Sequence, residues 1–225
     1  MGSSGTIAAG DRLKQAWGGC RIVGLEPVQC PTLYNVGFGA HAIEGIGDKH
    51  VTWVHNVRNM DALFCIDDQA CLEGLQLLQE GQHHVGLDWD VDGVFGVSGV
   101  CNLLGAIKTA KHYQLGRGQV IVTVATDGFD RYPSVLRRLD RSCGPQTAEV
   151  ARRRLQALHE TAPDWAQEGT MEVRRRWHNQ KYFTWVEQQG KTVDELNALW
   201  DPESWLAEQA KVPGLDERTR AWRSA

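Results

Sequence analysis

One segment constrains the fold more than any other: Gln119-Val120-Ile121-Val122-Thr123-Val124-Ala125, in which six of seven residues are apolar or β-branched and none is charged. A run without polar alternation suits a strand covered on both faces, as in a parallel sheet between helices. Two shorter runs read the same way. Residues 20–25 stop at Glu26-Pro27, and residues 62–66 are closed by Asp67-Asp68, which can cap a helix over 69–79. Between the strands lie helical patterns. One covers 6–17 and is opened by Thr6; another covers 98–113, opened by Ser98, with an apolar stripe at 100, 103, 104 and 107. This alternation predicts an α/β domain, a parallel sheet layered between helices.

Beyond Tyr132 no strand signal of that quality returns. Residues 148–158 and 193–200 have helical spacing, and Thr192 with Glu195 forms a capping-box pattern. Six of the nine tryptophans follow residue 150, so composition shifts there. The expected organisation is an α/β domain over 1–135 and a helical, Trp-rich extension over 136–225. The triplets Arg152-Arg153-Arg154 and Arg174-Arg175-Arg176 read as solvated helix faces.

A net charge of −4 excludes a broadly basic nucleic-acid binder, and no apolar run is long enough to span a membrane. The six cysteines lie mostly in apolar segments and form no CxxC pair, which points to free thiols in a reducing cytoplasm. Several motifs fail on their spacing. Asp88-Trp89-Asp90-Val91-Asp92-Gly93 opens like a calcium loop, but the position of the bidentate ligand is Gly99. His83-His84 lacks a second ligand pair for zinc. No G-x-G-x-x-G follows a strand, which disfavours a dinucleotide-binding domain.

The chain opens Gly2-Ser3-Ser4-Gly5-Thr6 directly before a helical pattern. Glycines that expose backbone N–H groups, three hydroxyls and a helix start together make a site for a phosphate dianion. In order after it come Gly24-Leu25-Glu26-Pro27, His41-Ala42-Ile43-Glu44-Gly45-Ile46-Gly47, Gly96-Val97-Ser98-Gly99 and Thr126-Asp127-Gly128-Phe129-Asp130-Arg131-Tyr132. These five segments resemble, in order and spacing, the second half of the cysteine synthase and cystathionine β-synthase family, fold-type II enzymes dependent on pyridoxal 5′-phosphate. The family pattern is a GTGGT phosphate loop, a strand ending in G-x-E-P, an H-K-I-x-G-I-G turn, a G-I-S-S-G helix start and a P-D-S-G-E-R-Y strand end. The resemblance implies a tryptophan synthase β-like fold over 1–135.

It also implies roles. Gly2, Ser3, Ser4, Gly5 and Thr6 would hold the cofactor phosphate, and Gly45 and Ile46 would lie against its ring. The residues at 96–99 would start the helix beside the cofactor. Where the family places a serine at the pyridine nitrogen this chain has Gly128, so Thr126 or Asp127 is expected to substitute. The implied chemistry is β-elimination or β-replacement on an amino acid.

The family's Schiff-base lysine lies upstream of the phosphate loop. None of the seven lysines here (14, 49, 108, 111, 181, 191, 211) stands in its S-x-K-D-R-like setting, and Lys108 and Lys111 read as a solvated helix face. An N-terminal segment or second subunit is therefore expected to complete the fold and supply the lysine, in a dimer or higher hetero-oligomer. Residues 1–225 alone are expected to be inactive. The competing class is a non-catalytic or degenerate cofactor-binding subunit.

Overall fold

The structure, a computed structural model, describes residues 4–87, 93–126, 128 and 133–224, with only the backbone of Ser4 and Cys143. It is a mixed α/β protein, mostly helical, with one small sheet. Two compact units divide the chain. One holds residues 23–49 and 61–168; the other holds residues 4–22, 50–60 and 169–224. These units do not follow the composition shift at residue 150. Packing gathers segments that are far apart in sequence, and composition carries no record of that.

In the first unit, β1 (Val23–Pro27) and β2 (Ala62–Ile66) pair in parallel, Val23 opposite Ala62 and Pro27 opposite Ile66. The strand thus extends through Glu26-Pro27 rather than stopping before them. A third strand, β3 (Ala166–Glu168), pairs antiparallel to β2. The sheet is therefore mixed, not wholly parallel. Three residues of middling polarity gave β3 no periodic signal; its strand character comes from pairing with β2.

The largest departure concerns residues 119–125. They form no strand among the described residues, and Val120 and Val122 are 85% and 84% exposed. Strand character needs a partner, and neither edge strand, β1 or β3, pairs with this segment. It is held at its far end, where Asn102 Nδ2 donates to the Val124 carbonyl at 2.8 Å.

Helix α3 (Asp68–Gln76) begins as the sequence indicates, with Asp67 accepting the Ala70 N–H at 3.0 Å, and continues into a π-helical turn over Leu77–Gly81. Helix α4 (Val97–His112) packs on both α3 and β2. Two glycines permit that approach. A Cβ on Gly105 of α4 would lie 2.4 Å from Leu25 Cδ1, and one on Gly74 of α3 would lie 2.8 Å from Val100. The core between them contains Phe64, Ile66, Cys71, Leu75, Leu78, Val100, Cys101 and Leu104, with Val135 and Leu139 from α5 (Pro133–Cys143). Helix α6 (Ala148–Glu160), capped by Thr147, closes the unit. Its Arg154 is no solvated residue: it is buried and donates to Gln76 Oε1 at 2.5 Å and to Gln146 Oε1.

The second unit joins α1 (Ser4–Ala16) to α7 (Met171–Asn179), a π-helical segment (Tyr182–Gln188), α8 (Val193–Ala198), α9 (Pro202–Ala210) and α10 (Val212–Arg223). Buried Asp11 of α1 accepts from Asn56 at 3.2 Å and from Asn59. Arg58 and Arg175 stack on Trp200, and Arg174 donates to the Arg58 carbonyl at 2.8 Å, so that triplet is partly engaged as well. The capping box of Thr192 and Glu195 is present at α8. No helix among the described residues is long and apolar enough to cross a membrane.

Candidate cofactor site

Helix α1 starts at Ser4, so Gly5 and Thr6 lie inside its first turn and Thr6 is not its cap. Both Gly5 and Thr6 are exposed, no acidic residue occupies the first turn, and a Cβ on Gly5 would meet nothing within 4 Å. The positive dipole end of a helix favours negative charge. Gly2 and Ser3 lie outside the described residues, as do residues 88–92.

In the other unit, the turn over 41–47 is pinned at both ends. The Ala42 N–H donates to Asp68 Oδ2 at 2.5 Å, the Ile46 N–H to the Ile43 carbonyl at 3.2 Å, and both isoleucine side chains enter the core. Burial pushes the Asp68 carboxyl up, and its bond to Ala42 opposes that. Gly45 stands exposed between the two isoleucines at φ +89°, a left-handed conformation that glycine adopts without strain. Of the two residues expected against a ring, Gly45 therefore offers open backbone, while the Ile46 side chain faces the core.

Helix α4 follows Gly96, and its first turn is buried. Ser98, expected as the helix opener, lies within that turn and makes no cap. Its hydroxyl instead meets the Thr126 hydroxyl at 2.7 Å. A Cβ on Gly45 would sit 3.5 Å from Ser98 Oγ, and one on Gly99 would sit 3.7 Å from the Thr126 backbone nitrogen. Gly45, Ser98, Gly99 and Thr126 thus converge from three separate segments of the sequence. Thr126 is exposed and Gly128 half-buried; Asp127 lies outside the described residues. Sequence reasoning missed Ser98 as a site residue. Its setting between glycines at a helix start was the available signal.

Glu26, in the Gly24-Leu25-Glu26-Pro27 segment, supports this unit from inside. Its buried carboxylate accepts the N–H groups of Leu33 at 3.0 Å and Tyr34 at 2.8 Å, which belong to the short helix α2 (Thr32–Asn35). Burial pushes its carboxyl up, and these bonds oppose that. Burial and the neighbouring Glu26 also hold the Cys65 thiol well above its usual range. Lys108 is not on a solvated face. It is buried, with Nζ donating to the Cys65 carbonyl at 3.0 Å and to Asp164 Oδ1 at 2.7 Å. Lys111 donates to the carbonyls of His159 and Thr161.

The second unit contains a lysine that no sequence pattern singles out. Lys181 is fully buried, and its Nζ donates to the carbonyls of Trp53 at 2.8 Å and His55 at 2.7 Å. Burial pushes it down to about 7. His178, one turn earlier, is pushed down to about 4, also by burial, with its Nε2 2.9 Å from the Leu196 carbonyl.

A cavity of about 520 Å³ in the first unit is lined by Glu80, His83, His84, Asp140, Pro145 and Gln146. It holds none of the residues implied by the resemblance. No cluster of three metal-ligating side chains occurs among the described residues.

The arrangement defines a mixed α/β protein in which a pair of hydroxyls, Ser98 and Thr126, meets at a helix start and Ser98 lies beside a bare glycine turn. Over 60% of its length the chain is distantly homologous to cysteine synthases. It is 25% identical over 135 residues to the cysteine synthase of Staphylococcus aureus (strain N315) and 28% identical over 135 residues to cysteine synthase B of Campylobacter jejuni subsp. jejuni serotype O:2. Those matches cover 40% and 41% of the two relatives, so the chain spans about two fifths of their length. No family model and no solved structure matches the chain.

Proposed function

We propose that this chain is the cofactor-binding portion of a pyridoxal-phosphate-dependent enzyme of cysteine synthase type, acting by β-elimination or β-replacement on an amino acid. The observation that carries the reading is the convergence of Gly45, Ser98 and Thr126, three positions from separate motif segments. These residues fit the cofactor's ring. The exposed Gly45 turn leaves room for a flat aromatic face, and its φ of +89° disfavours any side chain there. The paired hydroxyls can serve a ring nitrogen. For the phosphate, the resemblance assigns residues 2–6.

Bound pyridoxal 5′-phosphate supplies the electron sink for chemistry at the α-carbon of an amino acid. Within the first unit the chain's own residues would bind and orient it: the Gly45 backbone would face the ring, and the Ser98 and Thr126 hydroxyls would serve its nitrogen. The fold-type II layering of 1–135 and the helical extension over 136–225 belong to this reading.

A companion polypeptide, an N-terminal segment or second subunit, supplies the Schiff-base lysine and completes the sheet. The exposed residues 119–125 support this. Their side chains are apolar on both faces, the composition of a strand covered on both sides, and among the described residues no strand pairs with them. The five described cysteines are free, which agrees with a reducing cytoplasm. Gly128 in place of the family serine favours a second reading, a cofactor-binding subunit without turnover.

The test is to titrate residues 1–225 with pyridoxal 5′-phosphate, following its visible absorption, and to assay turnover of O-acetylserine with a thiol, with and without a companion segment carrying the lysine. Binding by the chain alone, with turnover only in the complex, is expected. Absence of binding overturns the reading; binding without turnover in the complex selects the non-catalytic one.

A further inference from the structure

We propose that Asp68 is a positioning residue for the ring of the cofactor, its carboxylate fixing where the bare Gly45 backbone stands, so that affinity for the ring depends on that hold; this rests on the reading above.

Helix α3 does not need Asp68 for its start. Asp67 is the cap, accepting the Ala70 N–H at 3.0 Å, and Asp68 is the first helical residue. An acidic side chain there gains from the helix dipole without leaving solvent. Asp68 is instead half-buried, its Oδ1 is buried without a hydrogen-bond partner, and burial pushes its carboxyl up. An unpaired buried oxygen costs stability, so helix formation does not account for this placement. What the carboxylate gains is the Ala42 N–H, bound to Oδ2 at 2.5 Å, with His41 favouring its charged form.

From Ala42 the hold passes along the turn to Gly45. The Glu44 N–H donates to the Ala42 carbonyl at 3.0 Å and the Ile46 N–H to the Ile43 carbonyl at 3.2 Å. The two isoleucines, seated in the core, fix the inner side of the turn, and the bond to Asp68 fixes its entry. The His41 ring closes it from the far end: a Cβ on Gly47, at φ +95°, would lie 2.7 Å from His41 Nε2. Asp68 is itself held, because Gln29 accepts its N–H at 3.2 Å and donates to Asp67 Oδ2 at 2.7 Å. Without the carboxylate the Ala42 N–H loses its acceptor, and the exposed side of the turn is released. Contact with a flat ring weakens steeply once a gap opens, so a small shift of Gly45 lowers affinity.

The test uses the full chain and two probes, pyridoxine 5′-phosphate and pyridoxine, which carry the ring without an aldehyde and form no imine with lysines. Binding is read by fluorescence titration and needs no turnover. Asp68→Ala should weaken both probes by the same factor, roughly tenfold, the scale of one hydrogen bond to a charged group. Asp68→Asn keeps an oxygen for the Ala42 N–H and should restore most of the affinity. Asp67→Ala removes the cap of α3 but not the hold on Ala42, and should bind both probes as the unaltered chain does. Unchanged far-UV circular dichroism is the control for folding, and Asp68→Ser, with its shorter side chain, takes the place of Asp68→Ala if that variant does not fold. Unchanged affinity in Asp68→Ala, an equal loss in Asp67→Ala, no recovery in Asp68→Asn, or a loss confined to the phosphorylated probe each overturns the inference and leaves the cofactor reading standing. Binding of neither probe by the unaltered chain overturns both.

Discussion

Replacing Lys181 by Met tests the most unusual interior group of the second unit. The amine is fully buried, with two backbone carbonyls as hydrogen-bond acceptors, and burial pushes it down to about 7 from an ordinary 10.5. A depressed lysine means that the folded chain binds fewer protons than the unfolded chain between those two values. Stability must then rise with pH across that window, and below about 7 the full penalty of a buried charge is present. From about pH 7 to pH 9 the unfolded amine stays protonated while the folded one loses most of its proton. At about 1.4 kcal/mol per proton per pH unit, the gain is about 2 kcal/mol. Buried thiols such as Cys65 titrate with the opposite sign, because the folded state holds their proton longer. The difference between wild type and Lys181→Met cancels their contribution. The assay is urea unfolding at both pH values, followed by tryptophan fluorescence, since Trp53, Trp177, Trp185, Trp200 and Trp205 all belong to this unit. Met leaves the carbonyls of Trp53 and His55 without that donor, so the variant can be less stable at every pH. The quantity tested is the slope. An equal rise in wild type and variant would refute the reasoning.

Gly105→Ala places a methyl 2.4 Å from Leu25 Cδ1, with β1 behind it, and should cost about 1–3 kcal/mol as overpacking, measured as a lower urea midpoint with unchanged m. Glu26→Gln leaves one of the Leu33 and Tyr34 N–H groups facing an amide NH₂ instead of a carboxylate oxygen. A loss of about 1–3 kcal/mol in unfolding free energy should follow, and no loss would show that solvent serves these groups.

Local chemistry was largely legible. Asp67 as the cap of α3, Thr192 with Glu195 at α8, and β2 over Ala62–Ile66 all stand where short-range patterns put them, because caps and short apolar runs are settled by neighbouring residues. The motif segments that hold Gly45, Ser98 and Thr126 were also legible. The contact between Ser98 and Thr126 was not, because the two lie on different segments and helix opening was the use expected of Ser98. Lys108, Arg154 and Lys181 were misjudged or passed over for a common reason. Long cationic side chains are normally solvated, and only a packed interior with carbonyl, amide or carboxylate acceptors holds them.

The sequence by itself determined where α3 and α8 are capped, which short runs are apolar and which motif segments follow one another. Each of those is decided within about a turn or a strand of chain. Tertiary structure alone decided that β3 joins the sheet antiparallel, that residues 119–125 lie unpaired, that α1 packs in a unit with residues 50–60 and the C-terminal helices, and that Ser98 meets Thr126. Those outcomes depend on which distant surfaces meet, and a strand or a buried polar pair exists only once its partner is in place.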